Sequence, residues 1–551
     1  MTVALEQGRE LQACRPGSND QAIVRHAPQF TEAISERSEK LPLASAPMTI
    51  KVDLAAPLRL ADLRVAAGPV TVVIGEEVRT RVATGRTFLG KALGDDRAIY
   101  GATTGFGALV GYAGRADQRD QADNTLAHLG AGQGPDLAPD VVRATLLVRA
   151  WSLARGASGV SPHVIDALAA MLATTFTPAM PRLGSVGASG DLIPLGAAAQ
   201  ALRGRGHAYV DGVRMPAGDA LTKAGLEPLP LDGRDALALV NGTSLTTAAL
   251  ALALGRVRTS HRVVQTLTCL LADLLGCDPQ FLDPALLAAY GHPGAIEVGA
   301  LMRAASAGLR ESGTRPLQEP YSIRCAPQLL GAAEDALRYV DGVVAADLGG
   351  VSDNPLFFPA DDKVVHGGNF FGQPAAFAAD VLSMVIAQVG NLAERQLDLL
   401  VDPGRNGGLP PMLAAGPGQQ HGLQGVQLAS TALIAEIRRD SVPASLQSLP
   451  TNLHNQDVIP LGTQAALRAL DQAELLRLIT GSLGLGLRQA VHVGARRPTA
   501  VGCDRTLRAL EEIAPIDPDR PLDSDVRRAA AILEELEISL ISHSYGERRD
   551  A

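Results

Sequence analysis

At 551 residues the chain has room for two or three domains or for one large subunit on a long helical core, and 46% hydrophobic with 19% charged residues excludes overall disorder. Aromatic residues are only 3%, while Ala, Leu and Gly are plentiful, which favours closely packed helices over sheets because strands draw on aromatic and β-branched side chains. With 49 basic and 58 acidic residues the formal charge is −9, which disfavours a general nucleic-acid binder, since phosphate contacts demand surplus Lys and Arg.

Residues 1 to 47 mix charges, Ser, Pro and Gln without lasting periodicity and read as a mobile extension. Glu6, Arg9 and Glu10 interrupt the opening, so no signal peptide is expected there. The short β-branched runs Thr49 to Leu60 and Gly68 to Ile74 predict small strands, and apolar residues at helical spacing predict a helix over Val78 to Leu93, stopped by Gly94. The chargeless stretch Ala236 to Gly255 is the one membrane suspect, but Asn-Gly-Thr-Ser at its centre is too polar for a lone lipid-facing helix. The sequon Asn241-Gly242-Thr243 carries little weight without a secretion signal.

Long helices are expected over Thr243 to Leu275, Pro327 to Leu348, Pro374 to Leu400, Gln424 to Arg439 and Leu461 to Val491, lengths that suggest a bundle. Val381 to Ala393 is apolar nearly all round, which points to subunit packing, and the Pro- and Gly-rich stretch Val401 to Gly422 should be loop. Cys14, Cys269, Cys277, Cys325 and Cys503 are scattered and lack a CxxC pair, so they read as reduced residues of a cytoplasmic protein and form neither a disulfide frame nor a zinc site.

The segment Gly184-Ser185-Val186-Gly187-Ala188-Ser189-Gly190-Asp191-Leu192-Ile193-Pro194-Leu195 holds a tripeptide able to become an electrophile. If the Gly190 amide nitrogen attacks the Ala188 carbonyl carbon and two waters leave, Ser189 becomes an exocyclic alkene on a five-membered ring, 4-methylidene-imidazol-5-one. Glycine suits the attacking position because no Cβ blocks the approach and strained dihedrals are open to it. Gly156-Ala157-Ser158-Gly159 carries a second Ala-Ser-Gly, for which a flexible turn is the simpler reading. Only the copy in GSVGASGDLIPL has glycines before it and a proline-stiffened apolar exit after it, and that string resembles the signature of the aromatic amino acid ammonia-lyases and aminomutases. Ser189, and not Ser158, is therefore read as the cofactor precursor.

The resemblance extends from about Thr49 to Arg520. Tyr100-Gly101-Ala102-Thr103-Thr104-Gly105-Phe106-Gly107 is similar to the family's YGxxTGFG loop, whose tyrosine removes a substrate β-proton, so the resemblance makes Tyr100 the general base. A tyrosine near pKa 10 needs nearby positive charge or hydrogen-bond donors to lose its proton at neutral pH, and Arg324 is a candidate source. Gln318-Glu319-Pro320-Tyr321-Ser322-Ile323-Arg324-Cys325 resembles QDxYSxRC, with Glu319 replacing aspartate. By that likeness Arg324, whose planar fork matches a carboxylate, holds the substrate α-carboxylate, Gln318 lines the pocket, and Tyr321 completes the catalytic set.

Asn241 reads locally as a helix N-cap, and by resemblance sits beside the ring's carbonyl oxygen. Phe370, in a Gly-Gly-Asn-Phe segment, resembles a residue packed near the ring, and Asn455 and Gln456 match positions lining the site. By the same resemblance Glu436 matches a position lining the site, and on an apolar helix face a glutamate is costly unless paired, the substrate ammonium being a natural partner. Before Asp353-Asn354-Pro355, Gly349 stands where the family commonly has asparagine.

Family selectivity follows a residue pair: Phe-Leu in phenylalanine lyases, Ser-His in histidine lyases, His-Leu in tyrosine lyases. Here the pair is His128-Leu129, and a histidine can hydrogen-bond a para-hydroxyl. The resemblance thus implies a mainly α lyase converting L-tyrosine to trans-p-coumarate and ammonia. A ring made from Ala188, Ser189 and Gly190 is its only implied cofactor, with no metal and no external cofactor. The implied assembly is a homotetramer of compact bacterial type with sites shared between subunits, needing neither membrane nor nucleic acid. The expected layout is an N-terminal, α/β-containing cofactor-forming domain over 48–240, a central long-helix bundle over 241–500 and a helical segment over 501–551. A phenylalanine or dual-specificity lyase, an aminomutase giving a β-amino acid, and a non-enzymatic helical scaffold are the alternatives.

Overall fold

The computed structural model describes residues 50–547, with side chains through 539. The expected extension over 1 to 47 and Cys14 lie outside the described residues. The protein is mainly α-helical. The helices that matter for the site are α1 (Glu76–Gly94), α2 (Gln118–His128), α3 (Pro139–Leu153), α4 (Leu192–Leu202), α5 (Gly233–Val240), α6 (Ser244–Leu275), α7 (Ala326–Gly349), α8 (Gln373–Val401), α9 (Gln424–Arg439) and α10 (Gly462–His492). Each long helix anticipated from apolar spacing is present, within two residues at either end.

Helices α6, α8 and α10 pack on one another, with α7 against α6 and α8, and α9 against α8 and α10. Small residues permit the close approach. A Cβ added at Gly481 of α10 would press into the backbone of Val526 on the helix Asp523–Glu547. The apolar segments Gly233–Leu275 and Gln373–Val401 are long enough to cross a membrane, yet their most apolar windows are 100% and 72% buried inside the fold, so they serve here as core helices. The first is split between α5 and α6, at the Asn241-Gly242-Thr243 sequence whose polarity argued against a continuous span.

Strands are short. Lys51–Asp53 pairs in parallel with Thr71–Val73, Lys51 opposite Thr71, in the two places where β-branched runs predict them. Gln133–Asp136 pairs antiparallel with Pro181–Leu183, and Leu356–Phe358 with Lys363–Val365. The Pro- and Gly-rich stretch after α8 is loop with one 3-10 turn at Pro411–Leu413. Cys269, Cys277, Cys325 and Cys503 are all free thiols.

Two apolar clusters are distinct. The main core runs from Val52 to Leu533, whereas Phe88, Leu89, Ala92, Ile99, Ala102 and Phe357 form a small second one. Ile99 and Ala102 bracket Tyr100-Gly101, so this minor cluster anchors the start of the glycine-rich loop while leaving the loop beyond it at the surface.

Candidate active site

The loop Ser185–Asp191 lies where several helices begin. Asp191 is fully buried, and its carboxylate accepts hydrogen bonds from the hydroxyls of Ser185 (2.9 Å), Thr246 (2.9 Å) and Thr463 (2.7 Å) and from the backbone N–H groups of Leu245 (2.9 Å) and Thr246 (3.0 Å). Burial pushes this carboxyl above its ordinary range, and those donors oppose the push. The Leu461 N–H donates to the Val186 carbonyl (3.1 Å), and the Gly372 N–H to that of Gly187 (3.2 Å). The first turns of α6 and α10 and the residue before α8 thus grip one loop, and N–H groups that have no acceptor within their own helices are satisfied by it.

Inside that grip the Ala188-Ser189-Gly190 backbone is tightly confined. Gly190 has φ +74°, and its N–H donates to the Phe370 carbonyl at 2.9 Å. A Cβ there would press into the backbone of Gly242, while the neighbouring Asp191 N–H donates to the Gly242 carbonyl at 2.8 Å. The Ser189 hydroxyl accepts from Gln456 Nε2 at 2.7 Å, and the Thr451 hydroxyl donates to Gln456 Oε1 at 2.5 Å, which fixes the amide's orientation. These residues fit a ring built from 188 to 190: only glycine fits at 190, the flanks are held, and a donor faces the hydroxyl that would leave. Gly190→Ala is accordingly expected to yield a chain that loses no water from this segment, checked by intact mass; loss of two waters in that variant would contradict the steric argument.

One pocket of about 990 Å³ opens onto this loop and is lined by Tyr100, His128, Leu129, Ala188, Ser189, Asn241, Phe370, Asn455 and Gln456, together with Phe106 and Asn354. The Gly107 N–H donates to Tyr100 Oη at 2.8 Å. Burial nevertheless dominates and raises the Tyr100 phenol above its ordinary value, with the Gly107 bond lowering it in part. Phe106 sits edge-on to Tyr100, with ring centroids 6.0 Å apart, and stacks on His128 at 5.9 Å. His128 Nδ1 bonds the Asn124 carbonyl at 3.1 Å. A carbonyl only accepts, so Nδ1 carries the proton, and in the neutral ring Nε2 is left with a lone pair.

Asn241 is not an N-cap. It follows the last residue of α5, with Thr243 at the start of α6, because the chain turns sharply between the two helices. Its Nδ2 donates to the Asn354 carbonyl (3.0 Å), and its Oδ1 is buried with no hydrogen-bond partner among the described residues. Behind it the buried guanidinium groups of Arg149 and Arg234 share the carboxylate of Asp353, the first at 3.8 Å. The second Ala-Ser-Gly forms a buried turn after α3, with Gly156 and Gly159 at φ +78° and +65°, outside the pocket lining.

Residues 58–513 match the aromatic amino acid lyase family. The chain belongs to the aromatic amino acid lyases. It is 36% identical over 88% of its length, and 97% of theirs, to a histidine ammonia-lyase of Symbiobacterium thermophilum. To a tyrosine ammonia-lyase of Cereibacter sphaeroides it is 38% identical, covering 85% of this chain and 94% of that protein. The solved tyrosine aminomutase from Streptomyces globisporus superposes with TM-score 0.84 at 31% identity, covering 90% of this chain and 98% of that one.

Four residues assigned by resemblance stand outside this lyase's pocket within the single chain: Gln318, Tyr321, Arg324 and Glu436. Tyr321 is 70% exposed, and the Arg324 guanidinium lies 4.6 Å over its ring while Nε donates to the Glu319 carbonyl at 2.9 Å. Arg324 therefore does not supply positive charge to Tyr100 of the same chain. Glu436 sits on a half-exposed face and pairs with Arg439 at 3.2 Å, so no burial cost within the chain demands an ammonium partner. Glu319 is buried and bound by Arg315 through Nε (2.7 Å) and Nη2 (2.5 Å), which gives the longer acid its own role. A Cβ at Gly349 would meet nothing within 4 Å among the described residues, so space there does not require glycine.

Asp191 and Phe106 fall within the two motif strings, where nothing local marks their roles. The pair Arg149 and Arg234 carry no local signal, because their partners lie far away along the chain, and Thr451 carries none because a hydroxyl bonding an amide five residues on has no short pattern.

Proposed function

We propose that this aromatic amino acid lyase deaminates L-tyrosine to trans-p-coumarate and ammonia. The observation that carries the reading is His128, with its Nε2 lone pair and the Leu129 side chain in the same pocket as Ser189 and Tyr100. A phenol hydroxyl donating to Nε2 satisfies both groups. Phenylalanine leaves that nitrogen unpaired, which is how a hydrogen-bonding site rejects an analogue lacking the hydroxyl.

Once formed from Ala188, Ser189 and Gly190, the 4-methylidene-imidazol-5-one ring supplies an electron sink that ordinary side chains lack. Asn241, whose amide nitrogen also donates to the Asn354 carbonyl, would offer its remaining N–H to the ring's oxygen, and Phe370 would line the ring's side of the pocket. Tyr100 accepts the β-proton at Oη, where Gly107 stabilises the phenolate by hydrogen bonding. Asn455 and Gln456 line the substrate's polar end.

Gln318, Tyr321, Arg324 and Glu436 complete the site from other copies of the chain in a homotetramer. Support comes from their position outside the pocket and from exposed apolar side chains, including Phe377 and Met384 on α8, Leu428 on α9, and Leu446, Leu449 and Leu453 beyond it. In that assembly Arg324 of another copy binds the α-carboxylate and lowers the Tyr100 phenol.

Incubating the purified protein separately with tyrosine, phenylalanine and histidine, while following absorbance of the unsaturated acids, tests the substrate. Tyrosine is expected to react fastest, and His128→Phe to shrink its advantage over phenylalanine by about a hundredfold. Equal rates on the two in the native protein remove His128 as selector. Preference for histidine transfers the chain to the activity named for the Symbiobacterium relative, and a β-tyrosine product on chromatography overturns lyase for aminomutase.

A further inference from the structure

We infer that Gln121 is a positioning residue that clips both ends of the Tyr100 loop to the helix carrying His128. The inference rests on Tyr100 being the proton acceptor, but its structural half does not need that assignment.

The loop leaves the small apolar cluster after Ala102 and rejoins helix α2 after Arg115. Across its base, backbone bonds run from Gly105 N–H to the Tyr112 carbonyl (2.9 Å) and from Gly114 N–H to that of Thr103 (3.1 Å), and its tip exposes Leu109, Val110 and Tyr112. One side chain reaches both ends. Gln121, 1% exposed, donates from Nε2 to the Gly101 carbonyl (3.2 Å) and accepts at Oε1 from the Arg115 N–H (2.9 Å). The donor and acceptor must come from one planar group of this length. Glutamate lacks the donor, leucine and methionine lack both, and asparagine is a methylene shorter.

Gln121, Thr125 and His128 fall at i, i+4 and i+7 and so share one face of α2. The clip therefore ties Tyr100, which Gly101 follows directly, to the same rigid element that presents the ring-reading histidine. The span between proton acceptor and para-hydroxyl acceptor is set by a single helix. On the far side the loop has a lighter tie, the Tyr100 N–H to His366 Nε2 at 3.2 Å. None of the hydrogen bonds holding Ser185–Asp191 involves Gln121, so loosening the clip leaves the electrophile's loop intact.

The test uses the full chain with Gln121→Leu, which removes both bonds, and Gln121→Glu, which keeps the acceptor. Hydrogen exchange without substrate is expected to speed about tenfold or more in peptides spanning 101–115 of Gln121→Leu, with the rest of the chain unchanged and Gln121→Glu intermediate. The loss of two waters persists in both variants, and kcat of Gln121→Leu falls about ten- to a hundredfold with little change in KM, as expected when a reacting group is misplaced. Native-like exchange over 101–115 in both variants overturns the inference. Should Gln121→Leu lose protection throughout the chain, Gln121→Glu decides alone, and native loop exchange with native kcat there also overturns it. A native chain that neither loses two waters nor turns over an aromatic amino acid sinks the proposed function, while the exchange comparison still decides whether the clip exists.

Discussion

Ser189→Ala is expected to remove turnover, lowering kcat/KM by about ten-thousandfold or more, since no other side chain in the pocket can replace the electrophile made at that position. The fold should survive. Among the described residues the Ser189 hydroxyl makes one hydrogen bond, to Gln456, and a single such bond contributes about 1 kcal/mol. The two anchors of the loop, Asp191 and the Gly190 N–H, are untouched by the change. Ser158→Ala is the matched control, because that Ala-Ser-Gly lies in a buried turn where the Ser158 carbonyl, retained in the variant, accepts from Arg234 Nε at 2.6 Å. Kinetics on both variants with circular dichroism as a folding check decide the matter. Comparable losses at 189 and 158 would show that the assignment of the reactive serine is wrong.

Tyr100→Phe is expected to lower kcat by about a hundred- to ten-thousandfold, the usual contribution of a general base, while the chain still loses two waters at 188–190. The two variants thus separate the electrophile from the base: the first lacks the ring, the second has it and cannot use it. Activity of the native protein should rise with pH, because the reaction needs the Tyr100 phenol deprotonated and burial within the chain pushes it up, against the opposing pull of the Gly107 N–H and of the arginine proposed from another copy. The sign for stability is opposite. A phenol whose pKa is raised by folding favours the fold below the ordinary tyrosine value, and that contribution is lost as pH rises through the folded value. Tyr100→Phe should flatten the alkaline rise in rate, and a variant that keeps native kcat with the same pH profile would remove Tyr100 from the chemistry.

The long helices were legible because apolar spacing and flanking Gly or Pro are local signals, and α6 to α10 begin and end close to where those signals place them. The Ser189 and Tyr100 loops were legible as strings of unusual composition. What escaped was decided by contacts distant in sequence. Asn241 looks like an N-cap when only the following helix is read, yet the turn from α5 puts it at the end of that helix with Asn354 as its partner. The ease of ionising Tyr100 was argued from an arginine 224 positions away, which the fold does not bring to the same chain's pocket. Glu436 looked buried on an apolar helix, but α9 turns that face outward. Gln121 and Thr451 orient other groups through side-chain amides and hydroxyls, for which no short pattern exists.

The chemistry requires residues 188 to 190 to close on themselves. Intact-protein mass spectrometry of the mature native chain, followed by mapping of the peptide that spans them, addresses it directly. The expected protein is lighter than its sequence by two waters, with the whole deficit in that peptide; a fully active protein at its unmodified sequence mass would rule the ring out.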